Sequence, residues 1–199
     1  MRPLLRILMI PVCLLLQTAP APRFFPIPEN MQYEFPGVTL SDSDASALEK
    51  AFAADLSKQD WCEKKAPLAE FPSAPISLGK LGHGVLVKGN ADCLCGATGQ
   101  CEMFVYVREK NGYRTVAESF GWAFGVVDSK SDVPDLAFAS SGGGGLMNLI
   151  LQNYNGRKYV DKLCEMLVSE EGFPKTPDDW FNPKVVKVRP CENFDRHSK

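Results

Sequence analysis

The segment MFVYVREKNGYRTVAE, residues 103–118, gives the clearest indication of how this chain folds. Aromatic and aliphatic side chains alternate along residues 103–107, a pattern that predicts a β-strand with two apolar faces. One face can meet the core while the other carries a second apolar layer. Asn111-Gly112 tolerates the positive φ angles of a two-residue turn, so residues 113–118 are expected to return as the second strand of a hairpin.

A second hairpin of the same kind is expected about 44 residues further along the chain. Residues 146–154 supply its first strand, Asn155-Gly156 its turn and residues 158–160 its return. Short apolar segments at residues 85–87, 122–127 and 136–139 predict additional strands. Two similar hairpins hint at a duplicated unit.

The N-terminal side of these strands predicts one amphipathic helix, over Asp42–Lys58. Oxygen-bearing side chains at residues 41–44 can accept the free N–H groups of its first turn. Leu48, Phe52 and Leu56 form an apolar stripe at a spacing of four. Glu49, Asp55 and Lys58 are expected to face away from that stripe. The predicted class is α+β: an antiparallel, hairpin-built sheet with one N-terminal amphipathic helix packed on it, tied by disulfides.

The remaining segments complete the expected domain organisation. Proline-rich residues 22–40 predict an extended lead-in, and residues 41–192 a single α+β domain. Within that domain, residues 161–169 are compatible with a short helix and residues 185–188 with a short strand. Residues 193–199 are predicted to be a disordered tail.

Residues 1–21 are typical of a signal peptide. Arg2 and Arg6 precede an apolar run at residues 7–16, and Ala19-Pro20-Ala21 occupies the small-residue position before a cleavage site. A run of about ten residues is half of the roughly 20 needed to cross a bilayer, so no stable membrane anchor is expected. The alternative is a lipoprotein anchored through Cys13, although Cys13 lies inside the apolar run. The expected location is periplasmic or extracellular.

Cysteine usage agrees with export. Seven cysteines occur, and Cys13 leaves with the leader. An even number in an exported chain predicts a disulfide framework, with 15 possible pairings for six cysteines. A metal cluster or a redox-active pair around Cys93-Leu94-Cys95 is the alternative, but zinc requires a fourth ligand at short spacing. We therefore expect no metal and no cofactor. The six remaining cysteines are Cys62, Cys93, Cys95, Cys101, Cys164 and Cys191.

The charge pattern argues against a nucleic-acid partner. The formal charge of the 199 residues is −2, and subtracting Arg2 and Arg6 leaves −4 for the mature part. Nucleic-acid binding requires a basic face, and the sequence contains no block of like charges.

Residues 140–145, SSGGGG, form the most unusual local segment, called the Ser/Gly segment below. A phosphate-binding loop would need Lys-Ser/Thr after the last glycine, whereas Leu146-Met147 follows. The segment is either a flexible hairpin tip or a recognition loop, because glycines allow close backbone approach and serines donate adaptable hydrogen bonds. The candidate binding residues are Ser140, Ser141, Gly142 and Gly143, with the neighbouring Tyr154 and Arg157.

His83 lies between two glycines, so it is expected to be exposed. It is either a solvated loop residue or the base of a small hydrolase that uses Ser140 or Ser141 as nucleophile. The sequence lacks the G-x-S-x-G elbow that would support such a nucleophile. His83 therefore joins the candidate binding residues, and no catalytic residue is assigned.

The turn CLCGATGQC, residues 93–101, resembles a group of uncharacterised exported bacterial proteins. The shared pattern continues through an apolar strand, Asn111-Gly112-Tyr113, Asp135-Leu136, the Ser/Gly segment and the hairpin at residues 154–159. A more distant similarity is to periplasmic lysozyme inhibitors, which present a Ser/Gly loop to an enzyme cleft. Their Ser-Gly-x-x-Tyr signature is absent here, because Ser141-Gly142 is followed by three further glycines.

Taken together, these features favour an exported, non-enzymatic binding or inhibitory module with an envelope or extracellular protein as partner. The alternatives are the small hydrolase and a purely structural envelope protein.

Overall fold

One helix and nine strands occur in the part of the chain that the computed structural model describes, residues 31–32, 34–59, 62, 66–90, 93–96, 99–143, 146–169 and 186–191. The proposed leader with Cys13 and the predicted tail at residues 193–199 lie outside these ranges. The elements are α1 (Asp42–Leu56), β1 (Ser73–Ser77), β2 (His83–Lys88), β3 (Cys101–Glu109), β4 (Gly112–Gly121), β5 (Ala123–Val127), β6 (Asp135–Gly143), β7 (Leu146–Tyr154), β8 (Tyr159–Ser169) and β9 (Val186–Pro190).

The strands form two antiparallel sheets of neighbours in chain order, β1-β2-β3-β4 and β5-β6-β7-β8-β9. The hairpin-built antiparallel architecture is therefore confirmed, but the strands divide into two sheets where one was expected. The division occurs at Gly121, where a Cβ atom would lie 2.3 Å from the Ala139 carbonyl oxygen. Trp122 then donates its backbone N–H to that oxygen at 2.8 Å. At this close approach the chain leaves the first sheet and enters the second.

Strand β3 explains why the molecule has three layers. Its aliphatic residues, among them Met103 and Val105, pack against Phe138 of the second sheet. Its aromatic residues Phe104 and Tyr106 face α1, where they meet Phe52. The prediction of two apolar faces from residues 103–107 is confirmed. The layers are thus α1, the first sheet and the second sheet.

Helix α1 begins where the sequence predicts and ends two residues earlier. Ser41 is the N-cap and accepts a hydrogen bond from the Asp44 N–H at 3.2 Å. Leu48, Phe52 and Leu56 are at most 1% exposed. Burial of each such side chain contributes about 2 kcal/mol, so the stripe fastens the helix to the sheet.

Three disulfides join the six cysteines that follow Cys13: Cys62–Cys93, Cys95–Cys101 and Cys164–Cys191. The predicted disulfide framework is confirmed, and it includes the cysteines considered as metal ligands. The first bridge ties the segment after α1 to the loop between β2 and β3. The third ties β9 to β8.

Two segments differ from the sequence-based expectations. Residues 161–169, considered as a short helix, belong to β8, because β7 and β9 both offer backbone hydrogen bonds along their length. Part of the extended lead-in packs on the body: Gln32 donates its N–H to the Phe124 carbonyl at 2.6 Å, and Met31 joins a core cluster with Leu149.

None of the helices among the described residues has the length and apolar character needed to cross a membrane.

Candidate functional site

A cleft of about 1010 Å³ opens where the end of α1 and strand β4 approach strands β7 and β8 of the other sheet. We call it the inter-sheet cleft. Its walls combine charged, amide and apolar side chains. The lining residues are Asp55, Lys58, Arg114, Thr115, Val116, Ala117, Glu118, Ile150, Gln152, Lys158, Tyr159, Val160 and Asp161.

Asp55 organises the helical side of the cleft and is only 6% exposed. Its Oδ2 accepts hydrogen bonds from the Tyr106 hydroxyl at 2.9 Å and the Thr115 hydroxyl at 2.5 Å. Its Oδ1 accepts one from the Lys58 ammonium at 2.6 Å. That hydrogen bond raises the pKa of Lys58, and the nearby charge of Glu118 adds to the effect. Desolvation, followed by the Asp55 charge, raises the pKa of Tyr106.

The exposure expected for Asp55 is therefore wrong. Asp55 follows Phe52 by three residues and lies at the edge of the apolar stripe of α1. Two hydroxyl groups of the first sheet meet it there and replace the water that it loses. A carboxylate satisfied in this way can be buried without a large penalty.

Two β-bulges border the cleft on its opposite walls. Val105 of β3 pairs with Ala117 and Tyr106 with Thr115, so Val116 is an extra residue in β4. Leu151 of β7 pairs with Leu163 and Gln152 with Asp161, so Lys162 is an extra residue in β8. Bulges re-aim side chains and occur often beside functional sites. Here they direct Thr115 to Asp55 and Asp161 to Gln152.

Gln152 forms the floor of the cleft and is 4% exposed. Its Nε2 donates to the Glu118 carbonyl oxygen at 3.1 Å and to the Asp161 Oδ1 at 2.8 Å. Both partners are acceptors, so they fix which end of the amide is nitrogen. The buried Oε1 then has no hydrogen-bond partner among the described residues. Less than 1 Å² of this oxygen is exposed, so a group in the cleft does not reach it while the side chain keeps this position.

The two Asn-Gly turns meet at the mouth of the cleft. The Arg114 guanidinium, next to the first turn, donates to the Arg157 carbonyl oxygen of the second turn at 2.5 Å. It also pairs with Glu109 at 2.5 Å. The hydrogen bond that Arg114 donates to Glu109 raises the pKa of Arg114, and its hydrogen bond with Tyr154 adds to the effect. Tyr154 and Arg157, two of the residues selected from sequence, thus adjoin the cleft.

The Ser/Gly segment lies at the other end of β7. Ser140 is buried in β6 at 8% exposure, Ser141 is half-buried, and Gly142 and Gly143 are exposed. Ser141 pairs with Met147, seven residues before Tyr154, which corresponds to about 24 Å along the strand. The structure therefore does not bring the Ser/Gly segment together with Tyr154 and Arg157.

His83 is exposed at the start of β2, as expected, and lies far from the serines. Its neighbour Gly84 pairs with Val107 near one end of β3. Gly121, which contacts Ala139 next to Ser140, pairs with Cys101 at the other end. Six residues of strand separate these pairs, about 20 Å. His83 and Ser140 form no nucleophile–base pair in this arrangement.

Sequence reasoning missed the principal cleft residues, although one signal was present. Gln152 interrupts the apolar run of β7 at a position that faces the first sheet, and a polar side chain at such a position requires partners. Asp55, Glu118 and Asp161 carried no comparable local signal, because their proximity depends on the packing of the two sheets.

No protein-family model matches the chain, and neither does any curated protein or solved structure. The proposals below are therefore argued from the contacts of the described residues.

Proposed function

We propose that the protein is an exported, non-enzymatic binding or inhibitory module that receives an envelope or extracellular partner in the inter-sheet cleft. The observation that carries the proposal is the cleft itself, about 1010 Å³ between the two sheets, which combines charged, amide and apolar side chains in its walls.

Three features support binding as the role. The cleft has about the volume of a small-molecule or side-chain site. Its helical wall is held to β3 and β4 by the hydrogen bonds of Asp55, so the site is organised before any partner arrives. Both oxygens of Asp55 are engaged by Tyr106, Thr115 and Lys58, which suits a structural anchor better than a general base.

Export is supported by the disulfides together with the expected leader. Disulfides persist in oxidising compartments and are rare in the cytosol. The resemblance of residues 93–101 to exported bacterial proteins, and the distant similarity to periplasmic lysozyme inhibitors, agree with a partner in the envelope or outside the cell.

The test compares three single substitutions on the mature, oxidised protein. Ile150→Trp fills the cleft from its half-buried wall, whereas Leu163→Trp changes a half-buried residue on the opposite face of the second sheet. Gly143→Trp obstructs the Ser/Gly segment. Each protein is immobilised, and the retained envelope and secreted proteins of the producing cells are identified by mass spectrometry.

We expect Ile150→Trp to lose the partner that the wild type and Leu163→Trp retain, with unchanged far-UV circular dichroism and cooperative thermal unfolding in all variants. Loss of the partner with Gly143→Trp alone would show that the contact surface is the Ser/Gly segment and not the cleft. Equal retention by all four proteins would overturn the assignment of the cleft.

A further inference from the structure

A short segment before α1 touches all three apolar clusters of the molecule within ten residues. It comprises residues 31–32 and 34–40, and we call it the strap. Met31 packs into the cluster on the face of the second sheet that points away from the first. Phe35 packs on the cluster between the two sheets. Val38 and Leu40 pack on the cluster under α1. The strap therefore crosses the edge of the second sheet and ends at the helix.

We propose that the edge of β5 beneath the strap is a strand-accepting site. The strap occupies it in the structure, and an extended segment of another protein takes its place when the strap lifts. The fitting segment carries an aliphatic side chain and, four residues later, an aromatic one, as Met31 and Phe35 do. This site is separate from the inter-sheet cleft, because none of the β5 residues lines that cleft.

The backbone of β5 already receives an extended segment from outside its sheet. Gln32 donates its N–H to the Phe124 carbonyl oxygen at 2.6 Å, and Phe124 donates its N–H to the Gln32 carbonyl oxygen at 3.1 Å. The two hydrogen bonds form one antiparallel bridge. Main-chain hydrogen bonds of this kind hold peptides that add to the edge of a sheet, and they do not depend on the side chain of the added residue. Another extended segment can therefore replace Gln32.

Side-chain recognition comes from the positions on either side of this bridge. Met31 is 9% exposed, so the site buries an aliphatic side chain there. The Phe35 ring lies over the half-buried Lys88, with the ammonium 5.1 Å from the ring centroid. Burial lowers the pKa of Lys88, and no carboxylate pairs with it within the described residues. An aromatic face is the group that stabilises such a partly dehydrated cation.

The strap is attached by few contacts. Besides the bridge at Phe124, its one backbone hydrogen bond within the described residues runs from the Gly37 N–H to the Ser73 carbonyl oxygen at 2.8 Å. Segments with few hydrogen bonds and few buried side chains open at a lower free energy than the body of a domain. Gly37 has φ +91°, a conformation that residues with a Cβ atom rarely adopt. This glycine therefore allows the strap to fold back on its own domain.

The test uses a fluorescein-labelled peptide with the sequence of residues 31–40 and the whole mature, oxidised protein. Gly37→Val introduces a β-branched residue at a positive φ, and its Cβ would meet no atom within 4 Å, so the change acts through the backbone. Gly82→Val is the matched control, with φ +86° and equally open surroundings at the other end of β2 from Lys88. All three proteins are checked for far-UV circular dichroism and cooperative thermal unfolding.

Fluorescence anisotropy should show peptide binding at least about tenfold tighter to Gly37→Val than to the wild type or Gly82→Val. The reason is that lifting the strap removes a competitor attached to the same chain. In ¹⁵N-labelled Gly37→Val, the peptide should shift the backbone amides of Phe124 and Lys88 and leave that of Asp161 in the cleft unchanged.

Modified peptides separate strand addition from nonspecific apolar contact. N-methylation at Gln32 removes the N–H that Phe124 accepts and should weaken binding at least about tenfold. N-methylation at Glu34 is the control, because that N–H has no partner among the described residues. Replacing Phe35 of the peptide by alanine should weaken binding about fivefold, since the contact with Lys88 is lost.

Hydrogen exchange tests the lifting of the strap in the unaltered protein. The Gln32 amide should exchange at least about a hundredfold faster than the amide of Leu149 in the central strand β7, because the strap opens without unfolding the sheets. Equal rates would show that the strap does not lift separately, and the proposal would be wrong.

The peptide experiments give further outcomes that overturn the proposal. These are failure of the folded Gly37→Val to bind the peptide, equal affinity of all three proteins, indifference to N-methylation at Gln32, and shifts at Asp161 in place of Phe124. None of them involves the variants that test the inter-sheet cleft, so the strand-accepting site and the proposed function stand or fall separately.

Discussion

The two ends of β7 differ in how their polar groups are satisfied. At the Ser/Gly end, Ser141 donates its N–H to the Gln100 Oε1 at 2.7 Å, and its hydroxyl oxygen accepts the Gly143 N–H at 3.2 Å. These two backbone N–H groups therefore have nearby acceptors. At the cleft end, Gln152 connects β4, β7 and β8 and still has an unused oxygen. The segment that is conspicuous in sequence is satisfied by local hydrogen bonds, whereas the end assembled from the two sheets keeps an unpaired acceptor.

The largest expected difference between the ends is in stability. Asp55→Ala removes the acceptor of the Tyr106 and Thr115 hydroxyls and leaves two donors without that acceptor in a buried site, at a cost of about 3 kcal/mol. Ser141→Ala removes one exposed hydrogen bond and should cost less than about 1 kcal/mol. Urea unfolding of both variants measures the contrast. Equal losses would show that the two ends are equally important to the fold.

The disulfides allow a second comparison, between the layer of α1 and the Ser/Gly end. Cys62–Cys93 spans 31 residues and lies in the apolar cluster under α1, and Cys95–Cys101 spans 6 residues near the Ser/Gly end. Loop entropy predicts that replacing both cysteines by alanine costs about 3.5 kcal/mol for the first bridge and about 2 kcal/mol for the second. Thermal unfolding of the two double variants tests the order. A larger loss for the shorter bridge would contradict it.

The smallest expected effect concerns pH. Desolvation raises the pKa of Glu102 to about 7, and the charge of Glu118 contributes to the shift. Because this folded-state pKa lies above the unfolded value, the folded state binds more protons, and its stability should fall as the pH rises from about 4.5 to about 7. After allowance for solvent screening, the loss attributable to Glu102 is about 1–2 kcal/mol.

Glu102→Gln should remove this part of the pH dependence and raise the free energy of unfolding at pH 8. Glu109→Gln is the control at the far end of the same strand, where the carboxylate is half-exposed and paired with Arg114. Urea unfolding between pH 4 and pH 8 gives the comparison. An unchanged pH profile for Glu102→Gln would place the titrating group elsewhere.

The fold could be predicted further than the site. Alternation along β3, the two hairpins and the stripe of α1 are local signals, and the structure contains each of them. The turns themselves differ: the first loop is Lys110-Asn111 with Gly112 already in β4, and the second has four residues, 155–158. The division into two sheets was missed because it depends on the contact of Gly121 with Ala139, 18 residues later in the chain. Residues 161–169 were misassigned because neighbouring strands determine their conformation.

The residues selected from sequence lie only at the margin of the candidate site. Tyr154 and Arg157 were selected as neighbours of a hairpin turn, and they adjoin the cleft through Arg114. Asp55 was assigned to the exposed face because helical periodicity contains no information on the hydroxyl groups of Tyr106 and Thr115, which lie at the edge of the apolar stripe. Local pattern cannot reveal an acceptor left unpaired by the meeting of two sheets.

Because Val116 is an extra residue in β4, the direction in which the neighbouring side chains point depends on the number of residues in the strand as well as on their identity. Without it, every position from Thr115 to Gly112 would change faces, because side chains alternate along a strand. Thr115 would turn from Asp55 toward the second sheet, and Arg114 would leave the second Asn-Gly turn. Deletion of Val116 should therefore dismantle the mouth of the cleft, although every polar and charged residue of the cleft is retained. Insertions at Lys110-Asn111 lie in the loop before β4, so they leave the bulge at Val116 and the faces of the β4 side chains unchanged.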